Sequence, residues 1–268
     1  MKNLLIAFEM GMSCKAPWNV ELREVATAIA NLFDSYIEVV GVMIPLPTSL
    51  LVGEMDAYSA EALRPCTEAD AYAAFENVFG VPHSPRAFNW NGLVEMDTFG
   101  PHARIFDLII MARPGRVLDE PSRDLVENAL FDSGRPVLLV PERTGRPDGT
   151  IVISWTDTVE TARAITSAMP LLRCAQSVRL VSVQKEHEPP PQAERAMKAL
   201  LRDGIKAQCS IVSERVSVGR TVLEFAKEIN ADLLIKGAYT QTRLRRLIFG
   251  GTTDYILSHC QIPVLLAH

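Results

Sequence analysis

Short apolar runs bounded by turn residues alternate along this chain with longer stretches whose apolar residues recur every three or four positions. Leu4–Phe8 and Tyr36–Met43 read as strands on either side of a helix over Asn19–Asp34, whose Leu22, Val25, Ala26, Ile29 and Phe33 form one stripe. From Pro45 to Arg86 the pattern is less regular, with helical patches at Asp56–Leu63 and Glu68–Phe79 separated by Pro65. Ala87–Trp90 is a weak third strand and Phe106–Met111 a strong fourth, and Phe99–His102 interrupts the helix between them. Pro121–Phe131 is a helix opened by proline and ended by Gly134, and Pro136–Val140 is a fifth strand.

The polar, turn-rich stretch Pro141–Gly149 reads as a linker, and after it the order begins again. Strands are predicted at Ile151–Trp155, Ser177–Val183, Lys206–Val212, Leu233–Ile235 and Pro263–Ala267. Helices alternate with them at Thr158–Met169, Pro191–Arg202, Arg220–Ile229 and from Thr252 onward. Such alternation predicts an α/β fold with parallel sheets covered on both faces. The two halves answer each other: Asp107-Leu-Ile-Ile recurs as Asp232-Leu-Leu-Ile, 125 residues on, and Arg135-Pro-Val-Leu-Leu as Ile262-Pro-Val-Leu-Leu, 127 residues on. The first strands are 147 residues apart, so the first half is longer in its middle. We therefore expect two similar domains, 1–141 and 150–268, a division that suits a chain of 268 residues.

Composition narrows the partners. A net charge of -5 and a pI near 5.6 argue against a general nucleic-acid or anionic-membrane binder. Residues 1–9 hold too short an apolar run for a signal-peptide core or a membrane span, so a cytoplasmic protein is expected. Five scattered cysteines without a C-x-x-C pair are expected to be reduced thiols.

Chemistry concentrates in the last stretch, Asp232–His268. Between Asp232 and Asp254 stand Lys236, Arg243, Arg245 and Arg246 with no acid among them, and Gly250-Gly251 precede the helix start Thr252-Thr253-Asp254. A glycine pair at a helix N-terminus beside a cationic loop is a ready anion site, because free amides and the helix dipole both favour negative charge. The plainer reading, in which the glycines serve the turn and the arginines solubility, has equal standing on spacing alone.

Gly237-Ala-Tyr-Thr240, nine residues Gln241–Phe249, and Gly250-Gly251-Thr252 resemble the universal stress protein signature of G-x-x-G, nine residues, then G followed by Ser or Thr. Thr240 stands at the second glycine of that pattern, and Gly251 at its Ser/Thr position. The resemblance covers the chain as a tandem pair and is strongest in the second half. It implies two open, mainly parallel five-stranded sheets with helices on both faces, Rossmann-like and of the adenine nucleotide alpha hydrolase type. It also implies that the loop holds the phosphates of ATP or another adenine nucleotide, with Mg as a companion ion. On this likeness the binding positions are Thr156, Asp157, Val183, Lys236, Gly237, Thr240, Arg243, Gly250, Gly251 and Thr252. Thr156 and Asp157 stand where the family has an acidic residue on the adenine or ribose side, and Val183 where a backbone group meets the base. Each has a plainer alternative: Asp157 as a helix cap completed by Glu160, Val183 as core packing, Lys236 as a solvated cation beside Asp232.

The first half keeps the scaffold without the phosphate loop, since Met111–Gly115 lacks the first motif glycine and no glycine pair precedes its helix. No P-loop, H-E-x-x-H or G-x-S-x-G motif is present, and the five histidines show no ligand spacing, so an enzyme is not expected beyond weak ATP hydrolysis. The leading expectation is a regulatory nucleotide binder in stress response. The alternative is an interaction module of the same fold that works through protein contacts. An intramolecular pseudo-dimer through Pro136–Val140 and Pro263–Ala267, with a homodimer as a further option, follows from the family likeness and from the need to cover those apolar edges.

Overall fold

The computed structural model describes the chain except residues 11–19, 45–65, 81–87, 114–119, 186–191 and 239–250. The predicted helical patch at 56–63 lies outside the described residues, as do Thr240, Arg243 and Gly250. The described residues form ten strands and eight helices, in two compact units.

The first unit takes Met1–Ala112 and Leu118–Arg135. Its strands β1 (Asn3–Met10), β2 (Tyr36–Met43), β3 (Phe88–Glu95) and β4 (Leu108–Ala112) lie in the order β3-β2-β1-β4, all parallel. Leu4, Leu5, Ile6 and Ala7 are consecutive and wholly buried, as a strand covered on both faces requires. The helices are α1 (Val20–Phe33), α2 (Glu68–Phe79), α3 (Met96–Ala103) and α4 (Glu120–Ser133). Thr67 and Asp70 form a reciprocal capping box that starts α2. Strand β3 runs further than its pattern predicts because Glu68 holds an irregular turn within it. The Glu68 carboxylate accepts from Trp90 Nε1 at 2.7 Å and from Leu93 N at 3.0 Å, on either side of Gly92, whose φ is +88°. Phe99–His102 does not interrupt a helix but belongs to one, α3, in which Phe99 and Ala103 are buried and Gly100 lets Asp132 of α4 pack close.

The second unit takes Arg113–Val117 and Pro136–His268. Its sheet has the order β5 (Val137–Val140), β10 (Val264–Ala267), β9 (Leu233–Gly237), β6 (Thr150–Ser154), β7 (Ser177–Gln184), β8 (Ala207–Ser213). All neighbours are parallel except β5, which runs antiparallel to β10 with Leu138 opposite Leu265. The helices are α5 (Val159–Cys174), α6 (Ala193–Arg202), α7 (Val218–Glu228) and α8 (Thr252–His259). Helix α5 passes its expected end at Met169 and carries Pro170 within it, because Leu171 and Leu172 still have core to bury.

The structure gives a physical reason for the repeated aspartate. Asp107 Oδ2 accepts from the backbone N–H of Lys2 at 2.5 Å and of Asn3 at 3.0 Å, tying the start of β1 to the start of β4. Burial pushes the Asp107 pKa up, but those two amides and the charges of the amino terminus and Arg135 outweigh it and hold the carboxyl below its ordinary range. Asp232 repeats the device, accepting from Arg146 N at 3.3 Å and Thr150 N at 2.8 Å. Residues 141–149 are thus not the loose linker their composition suggests. Gly145 and Gly149 lie so close to Asp232 that a Cβ on either would run into it.

The cysteines also depart from expectation. Cys66 is disulfide-bonded, whereas Cys174, Cys209 and Cys260 are free. Spacing alone does not reveal pairing between distant positions.

Candidate functional site

Within the second unit, β6 is flanked by β9 on one side and β7 on the other, so the chain leaves β6 in one direction and returns to it from the other. Open α/β sheets take their ligands at such a reversal, in the crevice beyond the carboxyl ends of the strands. Ser154 pairs with both Lys236 and Val181, so β6 and β9 end at nearly the same level while β7 runs three residues further.

Several of the positions singled out in sequence gather at this edge. Thr156 and Asp157 are exposed just beyond β6. Asp157 does not cap α5: Thr158 is the N-cap, its hydroxyl accepting from Thr161 N at 3.3 Å. The Asp157 carboxylate makes no hydrogen bond or ion pair with the described residues. Val183 sits near the end of β7, half-buried and paired with Val212. Gly251 is the N-cap of α8 and Thr252 its first residue, so α8 opens without a side-chain cap on its amides.

Two positions differ from what the pattern suggested. Lys236 is not a cation outside the strand end. It is the fourth residue of β9, paired with Ser154 and Leu266, and only 7% exposed. Its Nζ donates to the carbonyl of Gly237 at 2.9 Å. Burial pushes its pKa down to about 8, against a smaller opposing pull from Glu160. Gly237 ends β9, where a Cβ would collide with the backbone of Glu160 and Thr161 at the start of α5. Its glycine is demanded by helix-on-sheet packing, whatever else the loop does.

Sequence reasoning missed Trp155. It follows β6, donates its backbone N–H to Val181 at 2.8 Å, and holds a buried indole N–H with no acceptor among the described residues. The missed signal was a large side chain with a polar handle at the strand end, next to Thr156. Arg113 was missed as well. Its guanidinium Nη1 donates to the carbonyls of Leu257 and Ser258, at 2.9 and 3.2 Å, in the last turn of α8. Among the described residues no cluster of three or more His, Cys, Asp or Glu marks a metal site.

Residues 160–268, the span that contains β7 to β10 and the start of α8, match the model of the universal stress protein family. Over this second half the chain is similar to the universal stress protein family. A universal stress protein from Archaeoglobus fulgidus DSM 4304 superposes with a TM-score of 0.62 over 98% of this chain and 95% of its own, at 15% identity. A putative universal stress protein from Pseudomonas aeruginosa UCBPP-PA14 does so at 0.55, over 100% and 93%, at 18% identity. At those identities the likeness concerns the fold. The Stress response protein NhaX of Bacillus subtilis (strain 168) is 37% identical over 46 residues, 17% of this chain and 28% of that protein. The chain therefore matches under a third of that relative's length. No helix among the described residues is long and apolar enough to cross a membrane. As a universal stress protein fold, the second unit offers a ligand one carboxylate, one buried amine, one buried indole N–H and one uncapped helix end on a single sheet edge.

Proposed function

We propose that the chain is a cytoplasmic stress-response protein that binds ATP or another adenine nucleotide in its second half, 150–268, as a regulatory ligand. The observation that carries this reading is the uncapped N-terminus of α8 at the same sheet edge as the exposed Asp157. A helix end whose amides have no side-chain acceptor among the described residues favours phosphate, and a carboxylate with no partner among them suits ribose hydroxyls or an exocyclic amine. Thr156 and the Val183 backbone would flank the base, and Lys236, Gly237, Thr240, Arg243, Gly250, Gly251 and Thr252 the phosphates, with Mg arriving on the nucleotide. The first half, 1–141, would act as a tandem partner without a phosphate loop.

Titration calorimetry of the full chain with ATP, ADP and AMP tests the reading. Saturable binding that strengthens with phosphate number supports it, and no heat with any of the three removes it. Product analysis after long incubation separates binding from hydrolysis. One observation favours a second reading, an interaction module with an empty crevice: Gly237 is fully accounted for by α5 packing, so the first motif glycine is explained without a ligand.

A further inference from the structure

The least compensated charge among the described residues of the second unit is Lys236. Its side chain is 7% exposed, it makes no ion pair with any described residue, and its single acceptor is the carbonyl of the next residue. A lysine ammonium carries three donors, so two remain unused. Gly237 faces α5, and strand alternation therefore turns Lys236 to the other side of the sheet, level with Ser154 and Leu266. It sits one residue from the end of β9, beside β6 at the crevice where the strand order reverses. A buried cation without a counter-charge destabilises the fold, and an apolar residue of similar size there would not.

We propose that Lys236 is the anion-binding group of this crevice, its amine swinging from the Gly237 carbonyl to hold a phosphate oxyanion of the ligand. The inference rests on reading the β6–β9 edge as a ligand site, and it assigns the ligand's negative group to one residue. The surroundings agree. Among the described titratable groups on neighbouring elements are Glu160 at the start of α5, Asp254 in the first turn of α8, Glu224 and Glu228 on α7, and His268 after β10, which meets the Ala238 carbonyl at 3.1 Å. Of these only Glu160 acts on the amine, and its pull is smaller than the effect of burial. The amine therefore titrates near pH 8 without ligand, and an oxyanion beside it raises that value. Binding at pH 8.5 then draws a proton from the buffer.

The experiment compares the full chain with its Lys236→Met variant. Thermal unfolding is followed with and without ATP, adenosine and inorganic phosphate, and ATP is titrated calorimetrically at pH 8.5 in two buffers of different ionisation enthalpy. Lys236→Met should unfold several degrees higher without ligand, since a buried uncompensated charge is gone. It should bind ATP roughly ten- to a hundredfold more weakly, take up no proton, and bind adenosine as the parent does. Unchanged ATP affinity in Lys236→Met overturns the assignment and leaves the nucleotide reading standing. Phosphate stabilising the parent but not the variant, with no nucleotide bound by either, supports Lys236 as an anion site and removes the nucleotide reading. A parent stabilised by none of the three probes removes both.

Discussion

At the scale of single residues, two glycines of the same motif play opposite parts. Gly237 is hemmed in by the backbone of Glu160 and Thr161, whereas a Cβ at Gly251 would meet none of the described residues. The φ of Gly251 is −123°, which any residue adopts, so the protein itself does not require glycine there. Gly237→Ala should cost about 1–3 kcal/mol, since the α5 backbone must shift to admit one methyl group. Gly251→Ser should leave stability unchanged or raise it by a few tenths of a kcal/mol, since serine would supply the missing cap. Urea unfolding of the two variants checks this pair, and equal losses in both would contradict it. The spacing of glycines was legible in the sequence, but what each one touches was not. The neighbours of Gly237 lie in a helix more than seventy residues away. For the same reason Lys236 read as a loop cation: the apolar run Leu233–Ile235 is complete without it, and only its pairing with Ser154 and Leu266 draws it into the sheet.

At the scale of elements, α8 would carry much of the proposed site on little structure of its own. It spans eight residues, shorter than an isolated helix can sustain in water, and its N-terminus has no side-chain cap. Its other end is held by Arg113, whose Nη1 meets two of the last carbonyls while its Nε lies buried without a partner. A cation at that end also suits the helix dipole. The same guanidinium draws the Cys260 thiol pKa down, a minor effect beside the burial that pushes it up to about 11. That thiol is inert at neutral pH. Arg113→Met should destabilise the protein by about 1–3 kcal/mol and speed amide exchange in residues 252–259 before the rest of the second sheet. Hydrogen-exchange mass spectrometry reads this directly, and unaltered exchange across α8 would show that Arg113 does not hold it. The helix start was legible from Thr252-Thr253-Asp254. Its anchor was not, because no local pattern links Arg113 to carbonyls 144 and 145 residues on. Longer elements were read well where the pattern is strong, as at Tyr36–Met43 and Glu68–Phe79, and poorly where a side chain from elsewhere sets the limit, as Glu68 does for β3.

At the scale of the whole molecule, the repeated aspartate visible in sequence plays the same part in both units, tying the first strand to the fourth. The closing strands break the symmetry. β5 ends the first repeat in sequence, yet it forms part of the second compact unit, pairing antiparallel with β10 through Val137–Leu139. All four residues of β10 are buried, and without β5 one of its edges would present a row of unpaired backbone groups flanked by apolar side chains. We propose that β5 serves as a built-in partner that keeps this edge from pairing with another chain. A fragment of residues 136–268, which retains β5, should then sediment as a monomer over a wide concentration range. A fragment of residues 150–268 should self-associate, because an antiparallel pair of β10 strands is the simplest replacement for β5. Proline substituted at Leu265 in the shorter fragment should return it to monomer if its N–H serves the new pairing, and should lower its stability if that N–H serves β9 instead. Sedimentation velocity together with circular dichroism distinguishes these results. A 150–268 fragment that remains folded and monomeric at high concentration would mean that the β10 edge tolerates exposure, and that β5 is placed there for some reason other than covering it.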